Sequence, residues 1–176
     1  MKKLFFLSMM CLTALAIASC DKEKDNDNTG TSGGGVTPAG YVDLGLPSGT
    51  KWKATNETNP NDTCDFYTYD EAMEKFGSAL PTKEQLEELK ENCQWTWDDT
   101  KKGYKVVGPN GNSIFLPVAG YRDCDGDVYG VGSDGRYWSS TPYGSGYAWS
   151  LYFFPGEVSM YYIGLCNGFS VRLVQD

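Results

Sequence analysis

The stretch Tyr147–Tyr162, YAWSLYFFPGEVSMYY, reads as two β-strands joined at Pro155-Gly156, a residue pair suited to a tight turn. Alternation puts Trp149, Leu151 and Phe153 on one side of the first strand and Ser150, Tyr152 and Phe154 on the other. On the return strand Val158, Met160 and Tyr162 oppose Glu157, Ser159 and Tyr161. The first set of each strand is expected to face a core, completed by Trp138, Phe169, Val171 and Leu173. A half-buried antiparallel sheet needs only one apolar face. The second face is aromatic as well, which calls for a separate explanation.

Upstream of this hairpin, GYKVVGPNGNSIFLPVAGY predicts another, turning at Asn110-Gly111. RDCDGDVYGVGSDGRYWSST reads as a long glycine-rich loop, and GFSVRLVQD as a closing strand. Two helices precede them. TYDEAMEKFG has Thr68 as N-cap, Glu71 completing a capping box and Gly77 as C-cap. PTKEQLEELKENC repeats the device with Thr82 and Gln85. Its Leu86, Leu89 and Cys93 share one face, while Glu84, Glu87, Glu88 and Lys90 solvate the other. Before both, YVDLGLPSGTKWKAT predicts a short strand pair broken at Pro47-Ser48-Gly49, with Trp52 turned inward. Strands, two helices, then antiparallel strands make an α+β domain with helices segregated from the sheet.

The amino terminus follows another logic. Lys2 and Lys3, the apolar run Leu4–Ala18 and the ending IASC predict a lipoprotein signal peptide over 1–19, with Cys20 as the lipidated residue. Residues 20–39 are acidic and glycine-rich, a disordered tether leading to a single domain over 40–176. Removal of the leader leaves 13 basic and 23 acidic residues, a net charge of −10. That balance argues against nucleic acid and against anionic lipid surfaces, so the membrane is engaged through the anchor alone. The expected location is the outer membrane or cell surface.

The domain keeps Cys64, Cys93, Cys124 and Cys166, which permit three disulfide pairings and match no zinc spacing. The chain contains no histidine, so neither a Ser-His nor a Cys-His nucleophile is possible, and no carboxylate pair stands out. Catalysis is therefore not expected, nor is a cofactor. Asp123, Asp125 and Asp127 alternate as in calcium loops, but the sixth-position glycine and terminal glutamate are missing. They read as a solvated loop, and no metal site is assigned.

The segments VDLGLPSGTKW, LPTKEQLEEL, WTW, GPNGNSIFLPVAGYRD, YWSSTPY, AWSLYF and GFSVRLV together resemble the Fibrobacter succinogenes major paralogous domain of Bacteroidetes lipoproteins. The resemblance spans nearly all of 40–176 and implies a C-type lectin-like fold. That fold would have two helices flanking a curved antiparallel sheet, first and last strands paired, and a long-loop region over 123–167 that meets ligands. It also implies a disulfide between Cys124 and Cys166 on neighbouring loops, with Cys64 and Cys93 left as partners. Formylglycine-generating enzymes share that fold and use a cysteine pair, but a structural disulfide explains two secreted cysteines more simply.

The second face is then a candidate site. Tyr152, Phe154, Tyr161 and Ile163 share it with Ser150 and Ser159, and Tyr129, Asp134, Arg136, Tyr143 and Tyr147 lie in adjoining loops. Tyrosine, serine and glycine with an occasional arginine is the composition of an adaptable paratope, because tyrosine offers large rigid contact at low entropy cost. The function read from this is a surface-displayed, monomeric binding module for a protein or a glycan. The alternative is a structural or adhesive subunit of a cell-surface assembly. Lipoproteins of this kind also resemble targets of diversity-generating retroelements, whose adenine-directed changes at Asn codons produce Tyr, Ser, Gly, Asp, Phe, Ile and Arg. Those are the residue types at the candidate positions.

Overall fold

The computed structural model describes residues 40–176; the expected signal peptide over 1–19, the expected lipidation residue Cys20 and the expected tether lie outside the described residues. Strands β1 (Tyr41–Asp43) and β2 (Lys51–Lys53) pair antiparallel, with Val42 opposite Trp52, and the Trp52 side chain is buried. Helices α1 (Tyr69–Phe76) and α2 (Lys83–Asn92) follow, separated by a 3-10 turn at Gly77–Ala79. Both carry the predicted capping boxes. The Thr68 and Thr82 hydroxyls accept from the Glu71 and Gln85 amides, and the Glu71 and Gln85 side chains accept in return from the cap amides. Leu86 and Leu89 are fully buried, each stabilising the fold by about 1.5–3 kcal/mol.

Strands β3 (Gln94–Asp98), β4 (Gly103–Val107) and β5 (Ser113–Pro117) form an antiparallel meander, with the β4–β5 turn at Asn110-Gly111 as expected. Strand β3 was not foreseen. It starts directly beyond α2, and its Trp95 and Trp97 pack edge-on against Tyr104.

The expected glycine-rich loop is the larger correction. Within it the chain builds β6 (Tyr121–Arg122) paired with β7 (Val128–Tyr129), and then β8 (Gly135–Pro142), the start of the C-terminal sheet. Strands β9 (Tyr147–Phe154) and β10 (Glu157–Gly164) complete that sheet in the order β10-β9-β8, turning at Pro155-Gly156 with Gly156 at φ 92°. The closing segment forms a strand for only two residues, β11 (Val174–Gln175), whose partner is β2 rather than the first strand; Gly168, Phe169 and Ser170 before it make isolated bridges to Arg122, Tyr67 and Tyr137. The architecture is α+β, two helices with several small antiparallel sheets.

The core has two parts. One gathers Trp52, Leu86, Leu89, Tyr104, Val106, Leu116, Tyr137, Leu151 and Phe153 between α2, the meander and one face of the C-terminal sheet. There Gly135 lies opposite Phe153, whose ring occupies the space a Cβ would need, 2.1 Å away. The second part gathers Tyr67, Tyr69, Ala72, Leu80, Trp138, Ala148, Phe169 and Val171 beneath α1. Arg172, 2% exposed, joins separate pieces of chain: its guanidinium donates to the Lys53, Ala54 and Phe115 carbonyls and to Asn56 Oδ1. Burial lowers its pKa, opposed by the neighbouring Tyr137 hydroxyl.

Cys124 and Cys166 are disulfide-bonded. Cys93 is a free thiol, so the second pairing, of Cys64 with Cys93, does not form.

Candidate functional site

Register assigns the two faces of the C-terminal sheet row by row. Arg136, Tyr152 and Ser159 lie side by side, and Trp138, Ser150 and Tyr161 form the next row of the same face. Tyr137, Leu151 and Met160 form a row of the opposite face, followed by Trp149 and Tyr162. Leu151 and Phe153 are buried as expected, with Val158 and Met160 packed beside them.

The predicted binding residues divide. Arg136 anchors a first cluster. Its guanidinium carbon lies 3.7 Å from the Tyr121 ring centroid and 4.8 Å from that of Tyr152, which is within cation–π range. Among the described residues its ion pair is a long one, Nη2 to Asp134 Oδ2 at 3.8 Å, and its buried Nε has no hydrogen-bond partner. The Tyr129 ring lies tilted beside Tyr121 with centroids 5.7 Å apart, and Phe154 adjoins Tyr152 at 5.6 Å. The Tyr129 hydroxyl is held above the usual phenol range by the Asp127 and Asp123 carboxylates, and that of Tyr152 by burial and by Asp134. This corner therefore stays uncharged on its phenols and acidic at its rim.

Tyr143 and Tyr147 belong to a second cluster, centred on Tyr162. Tyr143 stacks on Tyr162 with centroids 3.9 Å apart, while Trp149 and Tyr147 meet it edge-on. Lys83, at the start of α2, sits 4.7 Å over the Trp149 ring. Tyr161 connects the two clusters. Its ring lies parallel to Tyr162 at 5.6 Å, and it is the diagonal neighbour of Tyr152 on their shared face.

Four assignments change. Trp149 and Tyr162 were expected in the core, yet Trp149 is half-buried and Tyr162 is 40% exposed. Alternation gives the side of a sheet, not how far along it the core reaches; α2 begins beside Trp149 and leaves the ends of β9 and β10 uncovered. Ser150 and Ile163 were expected at the ligand face and are not available there. Ser150 is 2% exposed, with its hydroxyl donating to the Tyr161 carbonyl, and Ile163 packs against the second core. The Gly168–Leu173 segment covers that end of the face, its Phe169 stacked on Trp138 at 4.3 Å. Ser159 is half-buried between the clusters. Tyr121 was missed; its signal was its place just before the loop, in the segment AGYRD.

Supporting loops are held firmly. Arg122 clamps Asp62 through Nε and Nη2, both onto Oδ2, at 2.9 and 2.6 Å. Asp123 Oδ1 accepts from the Asp125 and Asp127 amides, closing its own turn. Among the described residues no group of three or more metal-ligating side chains comes together. A separate cleft of about 470 Å³ lies between the 59–61 loop and α1. Its Glu71 and Lys75 are engaged by the helix cap and by the Tyr67 hydroxyl.

No curated protein and no solved structure matches the chain. One family model matches residues 81–174, from the start of α2 into β11, and so includes both aromatic clusters and the Cys124–Cys166 bond. That match covers more than half of the sequence, and the chain belongs to the family described as Domain of unknown function (DUF8237).

Proposed function

We propose that this protein is a surface-displayed lipoprotein whose C-type lectin-like domain captures a protein or glycan ligand on the tyrosine-rich surface of its C-terminal sheet. One observation carries the reading. The large hydrophobic side chains exposed among the described residues are Tyr129, Tyr143, Tyr147, Tyr161 and Tyr162, at 40–54% exposure; four stand on this sheet and its β8–β9 loop, and Tyr129 on the neighbouring β7. Tyrosine clustered in this way supplies rigid contact area with a hydrogen-bonding tip, the mix that binding surfaces favour. Arg136 adds a cation lying close to two rings, partly exposed and with only a long ion pair at its Nη2, suited to an acceptor group on the ligand. Diversification of the locus by a retroelement would account for a binding surface without a fixed chemical site.

Arrays of glycans and of extracellular proteins test the capture. Binding to at least one member that is lost in a Tyr129→Ala/Tyr161→Ala double variant supports the reading; binding to none rejects it. The anchor is tested separately. Cys20→Ala should abolish incorporation of labelled fatty acid and release the protein from membranes, and retained labelling contradicts it.

A further inference from the structure

The two edges of the C-terminal sheet differ. Along β8 the outer edge is occupied: Trp138 N donates to the Ser170 carbonyl, Ser170 N to that of Arg136, and Gly120 N to that of Asp134. Along β10 it is bare among the described residues. The two-residue turn makes Phe154 and Glu157 a hydrogen-bonded pair, so the backbone groups of Glu157, Ser159, Tyr161 and Ile163 turn toward β9. Those of Val158, Met160 and Tyr162 turn outward, where no backbone partner meets them among the described residues. Natural edge strands are blunted by lysine, proline, a bulge or shortness. β10 has none of these: it runs for 8 residues in unbroken register with β9, and Glu157 is its one charged residue.

We propose that β10 pairs antiparallel with β10 of a second copy of this chain, joining the two C-terminal sheets into one across a two-fold axis. The strand suits itself. In the register centred on Met160, Val158 faces the partner's Tyr162, Met160 faces the partner's Met160, and about six main-chain hydrogen bonds form, two for each hydrogen-bonded pair. On the other face of the joined sheet, Tyr161 meets the partner's Ser159. No like charges are opposed. The two Glu157 carboxylates fall at opposite ends, roughly 20 Å apart at about 3.4 Å per residue, which exceeds twice the screening length of about 8 Å. The dimer replaces the monomer expected from the sequence, and it makes each face of the sheet continuous across both copies, Tyr161 of each on one face and Tyr162 of each on the other. It rests on the backbone edge alone and stands apart from the ligand reading.

Sedimentation of the full chain over a dilution series, with residue-resolved amide exchange, tests it. The expected result is a dimer in which the Val158, Met160 and Tyr162 amides are protected, the protection falling at least tenfold on dilution, while the Ser159 and Tyr161 amides stay protected throughout. Met160→Pro removes an outward amide and no bond within the chain, so it should sediment as a monomer with unchanged helical circular dichroism. Should that variant fail to fold, exchange in the unaltered chain decides alone. A monomer at every concentration, or a dimer in which those three amides exchange freely, overturns the proposal.

Discussion

At the scale of single residues, the most consequential side chain is one whose sequence context gave no warning. Arg172 sits in an apolar segment that reads as strand, and its role follows from contacts with residues far away in the chain, Asn56 and Phe115. Arg172→Met should cost roughly 3–5 kcal/mol in denaturant unfolding, because three carbonyls and an amide oxygen lose their buried donor together. Arg172→Lys should recover only part of it, since an ammonium cannot reproduce the planar fork. Cys93 gives a second test. Burial, helped by the Glu88 carboxylate, pushes its thiol up to about 11. The unfolded thiol ionises first, so this group's contribution to stability is constant below the ordinary thiol value and declines as pH rises from there to about 11. Alkylation of Cys93 should accelerate with a midpoint near pH 11, and a midpoint near 8.5, the value of an unperturbed thiol, would place it in water.

At the scale of elements, signals complete within a few residues are legible in the sequence and those that depend on distant contacts are not. Both helices were legible down to their caps because a capping box is complete within four residues. Both hairpin turns were legible because Asn-Gly and Pro-Gly carry their own geometry. β8 was not, because its glycine-rich beginning resembles a loop; only the Phe153 ring over Gly135 explains why glycine is needed in that strand. The candidate site shows the same division. Tyr152 and Tyr161 were placed on the correct face by alternation, whereas Trp149 and Tyr162 depended on where α2 begins. The β9–β10 turn is itself held from outside, since the Tyr104 hydroxyl donates to the Phe154 carbonyl and accepts from Gly156 N. Tyr104→Phe should lower stability by about 1 kcal/mol and speed amide exchange at Gly156. Unchanged exchange there would mean that the turn holds itself.

At the scale of the whole molecule, the C-terminal sheet serves two purposes on its two sides. One side closes the core through Leu151 and Phe153, and the other, with the uncovered strand ends, presents tyrosines. The central claim is that stability and binding separate across a single sheet. Its most direct measurement pairs Leu151→Ala with Tyr161→Ala, each assayed for unfolding in denaturant and for capture on the same arrays. Leu151→Ala should cost roughly 2–5 kcal/mol as a buried leucine and spare capture in the fraction that remains folded. Tyr161→Ala should stay within about 1 kcal/mol of the parent and abolish capture. The account is contradicted if Tyr161→Ala proves the more destabilising change, or if capture survives it undiminished.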